Sequence, residues 1–166
     1  MDWYVGQTLQ LVRADGAFEL RLGEDVLGRL IRPGQVMVAE TREGRWELRH
    51  PRRTVAKIDA VDAASGEGAA SYRRRVLLPG ATIRGLSPLT YRLRKPLGRS
   101  QWRLSETSAV LDLASASDRF GVDLTIVGQP SVFADLGLLA LLCCYVVLLA
   151  ASTATGAMTT PDVIGP

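Results

Sequence analysis

The stretch Leu136-Gly137-Leu138-Leu139-Ala140-Leu141-Leu142-Cys143-Cys144-Tyr145-Val146-Val147-Leu148-Leu149-Ala150-Ala151 carries no charge, and its placement decides the fold. Asp135 stands at its start, where a carboxylate suits the positive end of a helix dipole, and Gly156 lies beyond its end. The segment therefore reads as a helix over about residues 132 to 152. It is apolar on every side, with Leu138, Leu142, Tyr145 and Leu149 spread along it, so it belongs inside a protein or across a bilayer. Hydrophobicity does not choose between these. Burying about ten large side chains is worth on the order of 20 kcal/mol in either medium, at about 2 each. The charge-free core falls short of the roughly 20 residues a span needs, although the Ser, Thr and Ala residues that follow extend it toward Met158. No Lys or Arg occurs from Phe120 to Pro166, so neither end carries the basic anchor that fixes a span. That favours burial within a protein, with a single-pass tail anchor as the alternative.

The rest of the chain supplies something for such a helix to fill. Phe18-Glu19-Leu20-Arg21-Leu22 alternates apolar and charged residues, as a half-buried strand must when successive side chains face opposite sides. Arg45 to Arg49, Tyr91 to Arg94, Gln101 to Leu104 and Val122 to Ile126 repeat the pattern. Further strands are expected at Thr8 to Arg13, Val26 to Arg32, Gln35 to Glu40, Thr54 to Val61, Arg73 to Leu78 and Val110 to Leu113. Asp15-Gly16 and Glu43-Gly44 read as hairpin turns, Pro33-Gly34 and Pro79-Gly80 as other reversals, and Asp62 to Ala70 as the longest loop. Ten or more short strands at such spacing make a sandwich or a barrel. About eight strands close a barrel that its own side chains fill, and more leave a lumen. A helix about 10 Å across would plug it. The expectation is one mainly β domain over residues 1 to 158, with 159 to 166 as a short tail.

The net charge of the 166-residue chain is only +3, but it is unevenly spread. Residues 42 to 103 hold fifteen Lys or Arg against five Asp or Glu, while both flanks are net negative. Three basic clusters stand out: Arg49 with Arg52 and Arg53, then Arg73-Arg74-Arg75, then Arg92, Arg94 and Lys95 with Arg99. In strands and their turns, alternate arginines fall on the outer face, and a guanidinium offers phosphate a bidentate fork. An anionic phospholipid or membrane surface is the expected partner, with a protein as the other candidate. Few aromatics are interleaved with the arginines and no nucleic-acid motif is present, which argues against DNA or RNA.

Catalytic signals are weak. His50, in Arg49-His50-Pro51, is the only histidine and reads as a solvated loop residue. There is no nucleophile elbow, phosphate loop or dinucleotide fingerprint. Asp112, Asp118 and Asp123 are expected to face solvent, and the adjacent Cys143 and Cys144 read as small buried hydrophobes. No enzyme activity, cofactor or metal site is expected. The apolar N-terminal signal of a secreted chain is not seen after Met1, which points to the cytoplasm or the inner face of a membrane.

Asp118-Arg119-Phe120-Gly121-Val122, a further strand, and then the helix from Asp135 resemble the C-terminal portion of phospholipid scramblases and their LURP-one relatives, which belong with the tubby C-terminal domain. Phe18 to Arg21, Gly28-Arg29-Leu30 and the Trp-x-Leu strands are similar in style to that group. The resemblance implies a closed barrel of about twelve antiparallel strands around a buried C-terminal helix, in a non-enzymatic module associated with anionic lipid. One departure concerns calcium. Scramblases carry an acidic stretch before Phe-Gly, whereas Ala116-Ser117-Asp118-Arg119 offers one carboxylate beside an arginine, a poor set for an ion that wants six to eight oxygens.

Overall fold

The structure is a computed structural model that describes residues 5–50, 56–75, 80–85, 90–96, 100–116, 121–128 and 136–154. Among the described residues the chain forms twelve strands and one helix. The strands are β1 (Thr8–Ala14), β2 (Ala17–Leu22), β3 (Asp25–Ile31), β4 (Met37–Thr41), β5 (Arg45–Arg49), β6 (Lys57–Asp62), β7 (Gly68–Arg74), β8 (Ala81–Arg84), β9 (Thr90–Arg94), β10 (Trp102–Ser105), β11 (Ala109–Ser115) and β12 (Gly121–Ile126). The helix is α1 (Leu136–Ala154). Each strand pairs antiparallel with its neighbours in sequence, and β12 closes on β1 with Leu9 opposite Leu124 and Leu11 opposite Val122. The result is a twelve-stranded barrel with no open edge, the ladders being interrupted only at register shifts in the β2–β3, β6–β7 and β10–β11 pairs among the described residues.

The alternation read from the sequence sets the two faces. Leu9 and Leu11, Phe18 and Leu20, Trp46 and Leu48, Tyr91 and Leu93, and Leu124 and Ile126 point inward and are buried. The tight β1–β2 reversal is made by Asp15 and Gly16, both at positive φ (48° and 78°), the pair of conformations that a right-twisted two-residue hairpin requires.

α1 occupies the lumen. Leu138, Leu142, Tyr145 and Leu149 are 2, 0, 2 and 2% exposed, and the other residues from Leu136 to Leu149 are buried with them. Among the described residues no helix is long and apolar enough to cross a membrane. The all-round apolarity of α1 is thus spent on the inward faces of the strands, not on lipid. The helix leans on β3, β4, β11 and β12. It lies close to the wall at Gly28, where a Cβ would sit 2.9 Å from the Glu40 carbonyl oxygen and 3.1 Å from Leu141 Cδ1. On the other side a buried row pairs Ile58 with Tyr72, Tyr72 with Ile83, and Ile83 with Tyr91 across β6 to β9. These larger residues complete the filling where the helix stands further off.

Three expectations are corrected. The loop expected over Asp62 to Ala70 is shorter, because β7 already begins at Gly68; its Ala69, Ala70 and Tyr72 are buried. The strand expected over Arg73 to Leu78 is therefore the end of β7, with 76–79 outside the described residues. β8 was not anticipated at all. Small inward residues, Ala70 and Ala81, give little apolar contrast against Ser71 and Thr82, so the period of two is muted there. The true β6–β7 reversal is held by Asp62, whose carboxylate accepts the Ser65 N–H (2.8 Å), the Ser65 hydroxyl (3.0 Å) and the Ala64 N–H (2.9 Å). Those bonds hold its carboxyl below the usual range.

Candidate anionic-surface site

The outward positions of β5 to β10 alternate with the core positions just described, and the register shows which of them meet. Lys57 lies opposite Arg73, Arg73 opposite Thr82, Thr82 opposite Arg92, and Arg92 opposite Ser105. One step along the barrel, Ser71 lies opposite Arg84 and Arg84 opposite Thr90. In the other direction Arg94 lies opposite Arg103. The 73–75 and 92–95 clusters are therefore neighbours across the single strand β8, about 10 Å apart at the usual strand spacing. Arg49 is not part of this group: it sits on β5, opposite Asp59, two strands from β7. Arg52, Arg53 and Asp135 lie outside the described residues, as do Asp118, Arg119 and Phe120 of the resembling motif.

Not every arginine in this region carries unbalanced charge. Arg49 pairs with Glu47 at 2.6 Å, and Arg103 holds Asp112 with two bonds of 2.7 and 2.8 Å. Asp59 accepts from both Arg73 (2.8 Å) and Lys57 (3.1 Å). Partial burial pushes the Asp59 pKa up, but the hydrogen bonds and charges of those two partners outweigh it and the carboxyl titrates below its ordinary value. By contrast, among the described residues no carboxylate pairs with Arg84, Arg92 or Arg94, and all three are exposed. Arg74 and Arg75 are also exposed, at the end of β7, as is Lys95 just past β9. Arg74 falls on the inward side of the ladder at the barrel rim, where its charge opposes the rise that burial imposes on the Tyr72 phenol.

The reason for this imbalance is compositional: from Gly68 to Ser105 the chain has nine Lys or Arg and no Asp or Glu. With β8, β9 and β10 adjacent, their outer face has nothing of its own to neutralise it. Arg84 is absent from the clusters read in the sequence because β8 gives no clear strand signal there, and the carboxylate-free run is the signal that points to it. Over β3 and β4 the outer face carries both signs. A hollow of about 560 Å3 over β3 and β4 is lined by Asp25, Arg29, Glu40 and Arg42 together. There Glu19 accepts from Arg21 and Arg29, and the Arg21 hydrogen bond, opposed by burial, depresses its pKa.

Two polar features concern the helix. His50 is not the solvated loop residue expected: it is half-buried, and its Nε2 lies 2.9 Å from the Tyr145 hydroxyl, joining the β5 end to α1. Burial pushes the Tyr145 phenol up to about 12, against the opposing charge of Arg32. The Cys143 and Cys144 thiols are buried and driven well above their ordinary pKa by that burial, so neither is an available nucleophile. No protein-family model, curated protein or solved structure matches the chain.

Proposed function

We propose that this chain is a non-enzymatic β-barrel module that binds anionic phospholipid headgroups at a membrane surface, through the arginine-rich outer face of β7 to β9. The observation that carries it is the set Arg84, Arg92 and Arg94, exposed on a sheet region whose own sequence contains no carboxylate. Ion pairs elsewhere on the barrel show what a merely solvated charged exterior looks like here: Arg45 with Glu40, Arg49 with Glu47, Arg103 with Asp112. Interleaved Ser71, Thr82, Thr90 and Ser105 add hydroxyl donors to the guanidinium forks, a combination suited to phosphate oxygens. The resemblance to scramblase and LURP-one proteins points to the same ligand class, and a peripheral position on the inner face of a membrane goes with it.

Each basic residue near an anionic leaflet adds about 1 kcal/mol, or roughly five-fold in affinity. The triple variant Arg84→Gln, Arg92→Gln, Arg94→Gln is thus expected to bind vesicles containing 30% phosphatidylserine (POPC:POPS 70:30) about 25-fold more weakly if two of these charges reach the leaflet and about 100-fold if all three do, by co-sedimentation at physiological salt. Its thermal unfolding should match the parent, because the three side chains are exposed and carry no carboxylate partner among the described residues. Equal binding by parent and variant would refute this assignment. The equivalent Gln replacements at Arg73, Arg74 and Arg75 should weaken binding as well, by less at Arg73, which already serves Asp59.

A further inference from the structure

The barrel is electrically polar along its axis. In a twelve-stranded up-and-down barrel, odd-numbered strands run one way and even-numbered strands the other, so the connections sort strictly to two ends. The ends of β3, β5, β7 and β9 share one end, which carries Arg32, Arg49, Arg74, Arg75, Arg94 and Lys95. The opposite end carries Glu24, Glu43, Glu67 and Glu106 on the connections that follow β2, β4, β6 and β10, with Asp25 opening β3 and Asp62 closing β6 beside them. The separation is not complete: Asp15 lies at the first end, and Arg42, Arg45 and Arg84 lie at the second. The excess is nonetheless of opposite sign at the two poles.

The central helix is aligned with this field. α1 has no acidic residue in its first turn and no basic residue in its last. Its N-terminal end meets the acidic pole, where a Cβ on Gly137 would lie 3.6 Å from Glu43 Oε2. Its C-terminal half reaches the basic pole, where Tyr145 meets His50 and feels the charge of Arg32. The barrel rims supply the charges that helix ends usually carry themselves.

We infer that the barrel docks on an anionic bilayer end-on, with the pole where α1 finishes turned to the lipid and the pole where α1 begins turned to solvent. This rests on the lipid-binding function proposed above and adds its geometry. A seven-residue strand such as β7, at about 3.3 Å per residue and about 40° tilt, rises about 18 Å. That is about twice the Debye length of roughly 8 Å at physiological salt, so end-on docking leaves the acidic pole screened from the leaflet. Laying the β8–β9 face flat would instead bring Glu67 and Glu106, on the two flanking connections, down to the same surface. Tilting toward the basic pole keeps Arg92 and Arg94 engaged and lifts those carboxylates away together with Arg84 at the end of β8, so Arg84→Gln alone is expected to weaken binding less than Arg92→Gln or Arg94→Gln.

The test uses the full chain with one introduced thiol bearing a fluorophore, at Val36→Cys on the β3–β4 connection or at Thr107→Cys on the β10–β11 connection. Both positions are exposed, they lie at opposite poles, and the native thiols are buried. Each labelled protein is bound to POPC:POPS 70:30 vesicles containing a lipid with a nitroxide on its headgroup, a short-range quencher. Binding itself is scored separately by co-sedimentation. The expected result is strong quenching at position 36 and little at 107. Bound protein quenched equally at both, or more at 107, would overturn the end-on geometry while leaving lipid binding intact. Protein that does not sediment with the vesicles would remove the lipid-binding function itself, and this geometry with it.

Discussion

A chain ending at Ala134 is expected to lose the barrel altogether. The helix it lacks is about 10 Å across, and its buried length from Leu136 to Leu149 is about 21 Å at 1.5 Å per residue, so its removal empties about 1,600 Å3. At about 24 cal/mol per Å3 of cavity, an unrelaxed barrel would be destabilised by tens of kcal/mol, against a total stability of about 5 to 15. The strands cannot collapse onto each other to recover this, because the closed ladder from β1 to β12 fixes the circumference. Circular dichroism and size exclusion of the truncated chain should therefore show an unfolded or aggregated product. A folded, monomeric β-rich domain of residues 1 to 134 would mean that α1 is an appendage and not the core.

The second large effect separates loss of packing from burial of charge at one position. Leu142 is 0% exposed in the middle of α1. Leu142→Ala should remove about 2 to 5 kcal/mol, by lost transfer energy and the cavity left behind. For a chain of this length that is a fall of about 5 to 15 °C in Tm, with the fold retained. Leu142→Asp incurs the same loss and adds a carboxyl with no partner, which costs several kcal/mol more whether it stays charged or takes up a proton. The aspartate variant is expected not to fold, while the alanine variant melts cooperatively at lower temperature. Near-parental melting of both variants would contradict the placement of this residue in the barrel interior.

The sequence carried most of the architecture because the fold uses two simple periods. Strands such as Phe18 to Leu22 and Arg45 to Arg49 have large apolar residues on one face and charges on the other, so a period of two is conspicuous. α1 is apolar on all sides because all its sides meet β-strands, and that left the choice between bilayer and barrel open until the strands around it were in place. What escaped was local. β7 and β8 put Ala70 and Ala81 on the inner face, and alanine against serine or threonine gives no clear contrast. At β11, Val110 and Leu111 are both buried because the register shifts there, with Ser105 opposite Ala109 and Leu104 opposite Leu111.

The candidate site was legible only as composition. Clusters at 73–75 and 92–95 were visible as runs, but their adjacency depends on β8 lying between them, and β8 was unseen. Arg49 was grouped with them by sign alone, whereas its partner Glu47 two residues away already balances it. His50 gave no sequence signal of its contact with Tyr145, which lies 95 residues on. The polarity of the two ends was equally hidden: it appears only when each connection is assigned to a pole by strand direction.

The placement of α1 supports everything else, since it closes the core and orients the two poles. Thiol labelling of the full-length chain in detergent-free buffer tests it most directly, using Cys143 and Cys144 as native reporters. Both are 0% exposed, and burial raises the pKa of each, which suppresses the reactive thiolate. A small maleimide should leave both unmodified in native buffer and react with both once denaturant unfolds the whole barrel, with labelling tracking the loss of β-sheet signal. Prompt labelling of the native chain, or protection obtained only when lipid or detergent is added, would contradict a helix enclosed by the twelve strands.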